Sequence, residues 1–398
     1  MKNKLSIRRL YLAVGTVAML FAGILYAWSI LKIPFSNDFG WTAGNLSLNF
    51  TVTMSCFCGG GLVGAWLAKK IGHHKAIVIA GVLGALGFVL TSTLGGAQLP
   101  LLYITYGIIA GGGIGIAYNV ILSTVSPWFP DKKGLCSGCL MMGFGASALV
   151  LGELTSSLFA SDFGWRNTYI LLGCLLGGVL IIAGVILKKP TEDVVFPASK
   201  AKDSAEVEDI SPKQMLKKPS FWLAFLYLVF LTAVGNSVIS FAKQFAESVG
   251  AAPALATTLV GVLSICNGLG RVITGAAFDS IGIKKTMVGA SVLTIAAAGM
   301  GLLALLTSNV PILVVAICLT GLSYGTSPTT CATFTMAYYG KKYYSTNMAI
   351  MVFNMMGSSF AATLCGSILG AANSYLIPFV MLLAMACVAF VLNLFIRK

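Results

Sequence analysis

The chain has 398 residues, 57% of them hydrophobic and only 10% charged, with a mean hydropathy of +0.90. Soluble domains carry about 25% charged residues, so this composition excludes an ordinary soluble enzyme or binding module and fits a protein that crosses a membrane many times. The formal net charge of +14 is no mark of a nucleic-acid partner, because the basic residues are segregated along the chain.

Crossing about 30 Å of hydrocarbon takes roughly 20 apolar residues as a helix, and the ten-residue alternation of barrel strands is absent. The spacing predicts an all-α polytopic membrane protein with twelve spans. Six lie at about 10–31, 45–68, 76–95, 100–125, 134–157 and 166–187. Six more lie at about 220–243, 253–278, 286–307, 311–337, 343–371 and 374–396. The first run is too long for a signal-peptide core and lacks an A-x-A stop, so it reads as the first span. Between the sixes lies the polar segment "KKPTEDVVFPASKAKDSAEVEDISPKQMLKKPS", which cannot enter a bilayer. The expected division is 1–188, a linker 189–219, and 220–398, with Ser211-Pro212 capping a short surface helix.

All but four of the 26 Lys and Arg fall on one side of this arrangement, the exceptions being Lys32, Arg166, Lys243 and Arg271. That bias places both termini in the cytoplasm, for a chain in the cytoplasmic (inner) membrane. The ten cysteines sit in or beside apolar spans, so no disulfide framework is expected, and Cys136 with Cys139 reads as helix-end packing. His73 and His74, the only histidines, sit in a turn; no metal site and no cofactor are expected.

The halves echo one another. Pro100 opens the fourth span as Pro311 opens the tenth, and Lys132-Lys133 and Lys341-Lys342 follow these spans. "GAAFDSIGIKK" occupies the place of "AWLAKKIGHHK" in the first half. Such duplication implies two pseudo-symmetric six-helix halves with a site at their interface.

On these strings the chain resembles the major facilitator superfamily, whose G-x-x-x-D-x-x-G turn is intact at Gly275, Asp279 and Gly282. In the first half Ala65 and Lys69 stand where Gly and Asp belong, which puts that copy's gating contact in doubt. More narrowly, "YAWSILKIPF", "AGGGIGIAYN", "WFPDKKGLCSG" and "NGLGRVITGAAFDSIG" resemble the oxalate:formate antiporter family, bacterial relatives of monocarboxylate transporters. The resemblance implies transport of small organic anions, with Arg271 on the carboxylate. Oxalate carriers have a lysine in the eleventh helix, where this chain has Met355 beside Asn354; that departure argues against a small dianion. Animal monocarboxylate transporters have an acid where this chain has Asn267, which puts their proton coupling in doubt.

Read from the residues themselves, Ser264, Asn267, Arg271 and Gly275 fall on one helical face. A charge at midspan costs roughly 2.5–3.5 kcal/mol on insertion scales, and its planar fork matches a carboxylate. The alternative is a structural arginine paired with helix carbonyls or a neighbouring acid. Glu153, the one acid well inside a span, reads as a proton carrier, as an interfacial residue, or as a partner of Arg166 or Lys243. Lys32, at the outer end of the first span, is expected to snorkel. Tyr26, Trp28, Tyr118 and Tyr324 are candidates for cavity walls, and equally for packing or lipid-belt roles. Gly107, Gly111 and Gly115 form a packing ridge.

No cluster of acids, bases and nucleophiles supports an enzyme. The competing reading is a drug/proton antiporter of the same fold, or a carrier of a larger amphipathic anion; the former usually has acids facing a cation and a Gly-Pro motif in its fifth helix, which "LCSGCLMMGFGASALVLGELTSS" lacks. The sequence therefore points to a monomeric secondary transporter of small organic anions, by exchange or proton symport, whose partners are its substrate and membrane lipid.

Overall fold

A computed structural model describes residues 2–129, 133–190, 208–340 and 342–396. It is helical throughout, with no strand among the described residues. Among the described residues, twelve helices are long and apolar enough to cross a membrane. The first six are α1 (Ile7–Phe39), α2 (Ala43–Ile71), α3 (His73–Ser92), α4 (Leu99–Trp128), α5 (Gly138–Phe159) and α6 (Gly164–Ile186). The second six are α7 (Pro219–Val249), α8 (Pro253–Phe278), α9 (Ile283–Thr307), α10 (Val310–Tyr339), α11 (Thr346–Ala372) and α12 (Leu376–Phe395).

Two of the longer spans contain segments that leave α-helical hydrogen bonding. In α1 the chain tightens to a 3-10 helix over Gly23–Ala27 and resumes as α-helix at Trp28. Gly23 lies so close to the carbonyl of Phe144 on α5 that no side chain fits there. In α4, Tyr103–Ala110 widens to a π-helix, a form found mostly as single-turn bulges. α1 also runs further than the sequence indicates, through the short helix Ile33–Phe39 started by Pro34. Lys32 therefore lies inside a continuing helix and is buried, not snorkelling to the surface.

The chain forms two compact units, Met1–Trp41 with Val52–Ala201, and Thr42–Thr51 with Lys202–Lys398. The first turns of α2 belong to the second unit because they pack on α11: Thr51 Oγ1 donates to Ser359 O at 2.6 Å, and Gly366 leaves room for Ser47.

Within each unit the same seam joins the second helix to the fourth. A methyl group on Gly60 would strike the carbonyl of Gly112, and one on Gly270 that of Leu322. Gly111 lies on Thr53 as Gly321 lies on Leu263, and Gly115 on Phe57 as Gly325 lies on Asn267. Every one of these contacts recurs 210 residues later, so glycine here serves close backbone approach in both units. The following turns obey the same register. Gly72 and Gly282 both adopt positive φ (+88° and +84°), and each accepts from the amide four residues on. The first-half turn thus keeps its geometry although Ala65 and Lys69 replace the motif's Gly and Asp.

The end of the polar segment is held against the second unit. Ile210 donates its amide to Tyr339 O and accepts from Asn347 Nδ2 at 2.9 Å, while Asp209 Oδ1 accepts the Lys342 amide at 2.9 Å. The buried Ile210 side chain joins a core with Met215, Phe334, Tyr339 and Met351. Ser211 caps the short helix Pro212–Met215 through a capping box with Gln214, as its sequence indicates.

Candidate functional site

Two faces of α8 have opposite characters. Ile265, Leu269, Val272 and Ile273 are exposed, as suits a lipid-facing surface. Ser264, Asn267 and Arg271 are buried, at 1%, 0% and 3% exposure. Side chains of a helix lean toward its N-terminus, and Arg271 does so: its Nε donates to Asn267 Oδ1 at 3.3 Å. That bond fixes the amide, since the oxygen must face the guanidinium. Asn267 Nδ2 then points away and finds no acceptor among the described residues, and neither does Ser264 Oγ. The backbone of the stripe is held by α10, where Gly325 abuts Asn267 and Thr329 Oγ1 donates to Arg271 O at 3.3 Å. A buried cation beside two unsatisfied donors is an arrangement that an acceptor-rich anion completes.

Tyr324 and Asn354 belong to two chains of hydrogen bonds that run between α7, α10 and α11. Tyr324 is fully buried and donates its hydroxyl to Asn236 Oδ1 at 2.8 Å; Asn236 Nδ2 donates to Ser358 Oγ at 2.6 Å. Thr232 hydrogen-bonds Ser327 and donates to Asn354 Oδ1 at 3.4 Å, and Asn354 Nδ2 donates to Met351 O at 2.7 Å. All these groups are neutral. The Tyr324 ring covers Gly235, so both its face and its hydroxyl are taken up by helix packing.

In the first unit, Tyr26, Phe57, Tyr118 and Phe144 form one aromatic cluster with ring centroids 5.1–5.8 Å apart in contacting pairs. Tyr118 is its half-exposed member. Trp28 lies elsewhere, against Tyr106 at 4.7 Å in the packed interior of that unit. Glu153 is half-buried on α5. Arg166 donates to Ser92 O at 2.6 Å and lies over the Trp165 ring. Lys243, like Lys32, is buried. Gly275 is half-buried and faces Thr329; Asp279 lies in the helix, but its side chain is outside the described residues.

The sequence reading did not single out Phe57, Phe144, Thr232, Asn236 or Ser358. The 210-residue register would have marked Phe57, since it is the counterpart of Asn267, as Gly61 is of Arg271. Thr232 and Asn236, four apart in "LTAVGN", form a polar pair on one face of α7. The same register separates the two tyrosines: the counterpart of Tyr118 is Pro328, not Tyr324.

The Major Facilitator Superfamily family model matches residues 10–350 and 225–398. The oxalate:formate antiporter of Oxalobacter formigenes is 25% identical over 281 residues, 70% of this chain and 65% of the antiporter. The uncharacterized MFS-type transporter YhjX of Escherichia coli (strain K12) is 25% identical over 349 residues, 85% and 82% of the two chains. Human monocarboxylate transporter 2 is 26% identical over 256 residues, 61% of this chain and 52% of that protein. The match therefore spans just under two thirds of the antiporter and about half of the human transporter. Among solved structures, a D-xylose-proton symporter superposes with a TM-score of 0.71, and a bacterial homolog of the human lysosomal transporter Spinster with 0.70. Each has 15% identity and covers 97% of this chain and 96% of its own, a likeness of fold alone.

Proposed function

Since this chain belongs to the major facilitator superfamily and is a multi-pass membrane transporter, we propose that it carries small organic anions, chiefly monocarboxylates, by alternating access, with Arg271 binding the carboxylate. The observation that carries this reading is the buried stripe of α8, where a guanidinium, Asn267 Nδ2 and Ser264 Oγ lie on one face and the last two have no acceptor among the described residues. A carboxylate supplies oxygens to Arg271 and Asn267 together and offsets the cost of a cation at midspan. The relatives named as oxalate:formate antiporter and monocarboxylate transporters have printed names consistent with that class.

Arg, Asn and Ser do not change charge in the physiological range, so the stripe can exchange anion for anion without a proton. Proton symport requires another carrier, and half-buried Glu153 is the candidate. The aromatic cluster of Tyr26, Phe57, Tyr118 and Phe144 favours a second reading, a larger amphipathic anion whose apolar part meets these rings. The distribution of Lys and Arg supports cytoplasmic termini in the cytoplasmic membrane, and the chain is proposed to act as a monomer.

The test is counterflow in proteoliposomes with labelled mono- and dicarboxylates, with and without a pH gradient, for wild type and Arg271→Ala. Uptake of a monocarboxylate that the substitution abolishes supports the reading. Equal uptake by the variant, or none of any carboxylate by wild type, overturns it.

A further inference from the structure

Hydroxyls in buried helices normally donate to the carbonyl one turn back, which removes their need for any other partner. On the same helix, which runs on past the span to Ile281, Thr257, Thr258 and Ser280 do so, to Pro253 O at 3.1 Å, Ala254 O at 3.2 Å and Ala276 O at 2.8 Å. Ser264 is an exception. It is 1% exposed, yet its Oγ makes neither that bond nor any other among the described residues. A buried hydroxyl left this way is destabilising unless a ligand satisfies it.

Its position says which ligand. Ser264 lies one turn beyond Asn267 on the face that carries Arg271, and the Arg271 side chain leans back along that face to reach Asn267. The guanidinium therefore sits near the level of Asn267, and Ser264 lies about 4.5 Å further along the axis, three residues at roughly 1.5 Å each. The exposed residues Ile265, Leu269 and Val272 lie on the other face, so Ser264 is turned away from lipid, as Arg271 is.

Resting on the assignment of Arg271 to the carboxylate, we propose that Ser264 is a specificity-determining residue whose hydroxyl donates to a second oxygen of the anion, carried on its third or fourth carbon. A carboxylate at the guanidinium brings an oxygen on C3 or C4 to the level of Ser264, whereas an unsubstituted chain leaves the hydroxyl unsatisfied. Asn267 Nδ2, lying between them, serves the carboxylate. The stripe then reads as donors spaced for two acceptor groups along one small anion, only one of which is charged.

The experiment measures kcat/KM for 3-hydroxybutyrate and for butyrate in proteoliposomes of wild type and Ser264 variants. Losing one neutral hydrogen bond of about 1 kcal/mol corresponds to roughly a fivefold change. Ser264→Ala is expected to lower the ratio of 3-hydroxybutyrate to butyrate by about five- to tenfold, Ser264→Cys to do the same with the volume nearly kept, and Ser264→Thr to restore it. An unchanged ratio in both Ala and Cys variants, or equal losses for both acids, would overturn the proposal and make Ser264 a packing residue. Arg271→Ala separates the two levels: uptake of both acids by that variant sinks the carboxylate assignment, whatever the ratio in the Ser264 series.

Discussion

Arg271 Nε and Asn267 Oδ1 lie 3.3 Å apart on one buried face of α8, each fixing the other's orientation. The bond uses the amide oxygen, and Asn267 Nδ2 finds no acceptor among the described residues. Replacing Asn267 by Leu removes both the restraint and one donor while keeping the volume similar. The expected result is a KM raised about tenfold with a smaller change in kcat, read from counterflow across a concentration series.

Arg271→Lys tests the fork separately from the charge. Lysine keeps one positive charge but offers a compact ammonium in place of two parallel donors. Loss of one charge-assisted bond, about 1.5–3 kcal/mol, should raise KM by roughly ten- to a hundredfold without abolishing uptake. Full wild-type KM in this variant would show that the planar geometry is not used.

Tyr324 and Asn236 should behave as a structural pair. Tyr324→Phe leaves Asn236 Oδ1 buried and short of a donor, at an expected cost of about 1–3 kcal/mol. Thermal unfolding in detergent would show a lowered Tm, and adding Asn236→Leu should recover part of the loss, because removing both partners is cheaper than orphaning one. A strict sum of the two single losses would contradict the coupling.

The seam between α8 and α10 tolerates no side chain at Gly325. Gly325→Val places a branched group against the carbonyl of Asn267, and overpacking of this kind costs about 1–3 kcal/mol. The helices must also part, which displaces Arg271. The expected outcome is lowered Tm together with raised KM, whereas Gly289→Val, at a glycine with nothing within 4 Å, should change neither.

Gly340 combines a left-handed backbone (φ +78°) with contact against Asp209 and Glu208. Gly340→Ala is strained on both counts. It should loosen the strap formed by Asp209 and Ile210, and limited proteolysis after residue 207 is expected to quicken in membranes from the variant.

Much of this was legible in the sequence because hydrophobic length is so direct a signal. Apolar runs of twenty residues marked all twelve spans, and the lone arginine of the eighth declared itself by its cost. The polar stripe of Ser264, Asn267 and Arg271 followed from helical spacing. Less visible were features set by contacts between helices. Nothing local says that α1 runs on past Lys32, because the apolar run ends there while the helix does not. Tyr324 and Tyr118 look alike beside glycine-rich stretches. Only the positions of Asn236 and Phe144 show that one tyrosine is used up in packing and the other is the half-exposed member of an otherwise buried aromatic cluster. The degraded motif at Ala65 and Lys69 likewise hides an intact turn, because Gly72 alone supplies the backbone conformation that turn needs.

The recurring seam of α2 with α4 and of α8 with α10 sets glycines of both helices against the other's main chain: Gly60 and Gly270 against the carbonyls of Gly112 and Leu322, Gly115 and Gly325 against those of Phe57 and Asn267. Because the seam takes up the backbone at these positions, it places little demand on the side chain that stands there. A large ring at 57 and a small amide at 267 satisfy the same joint, and so do the bare Gly61 and the guanidinium of Arg271. The scaffold thus keeps assembly and recognition on separate atoms of the same residues. One half can carry charge and the other aromatic surface, and neither has to relinquish the joint that holds it together.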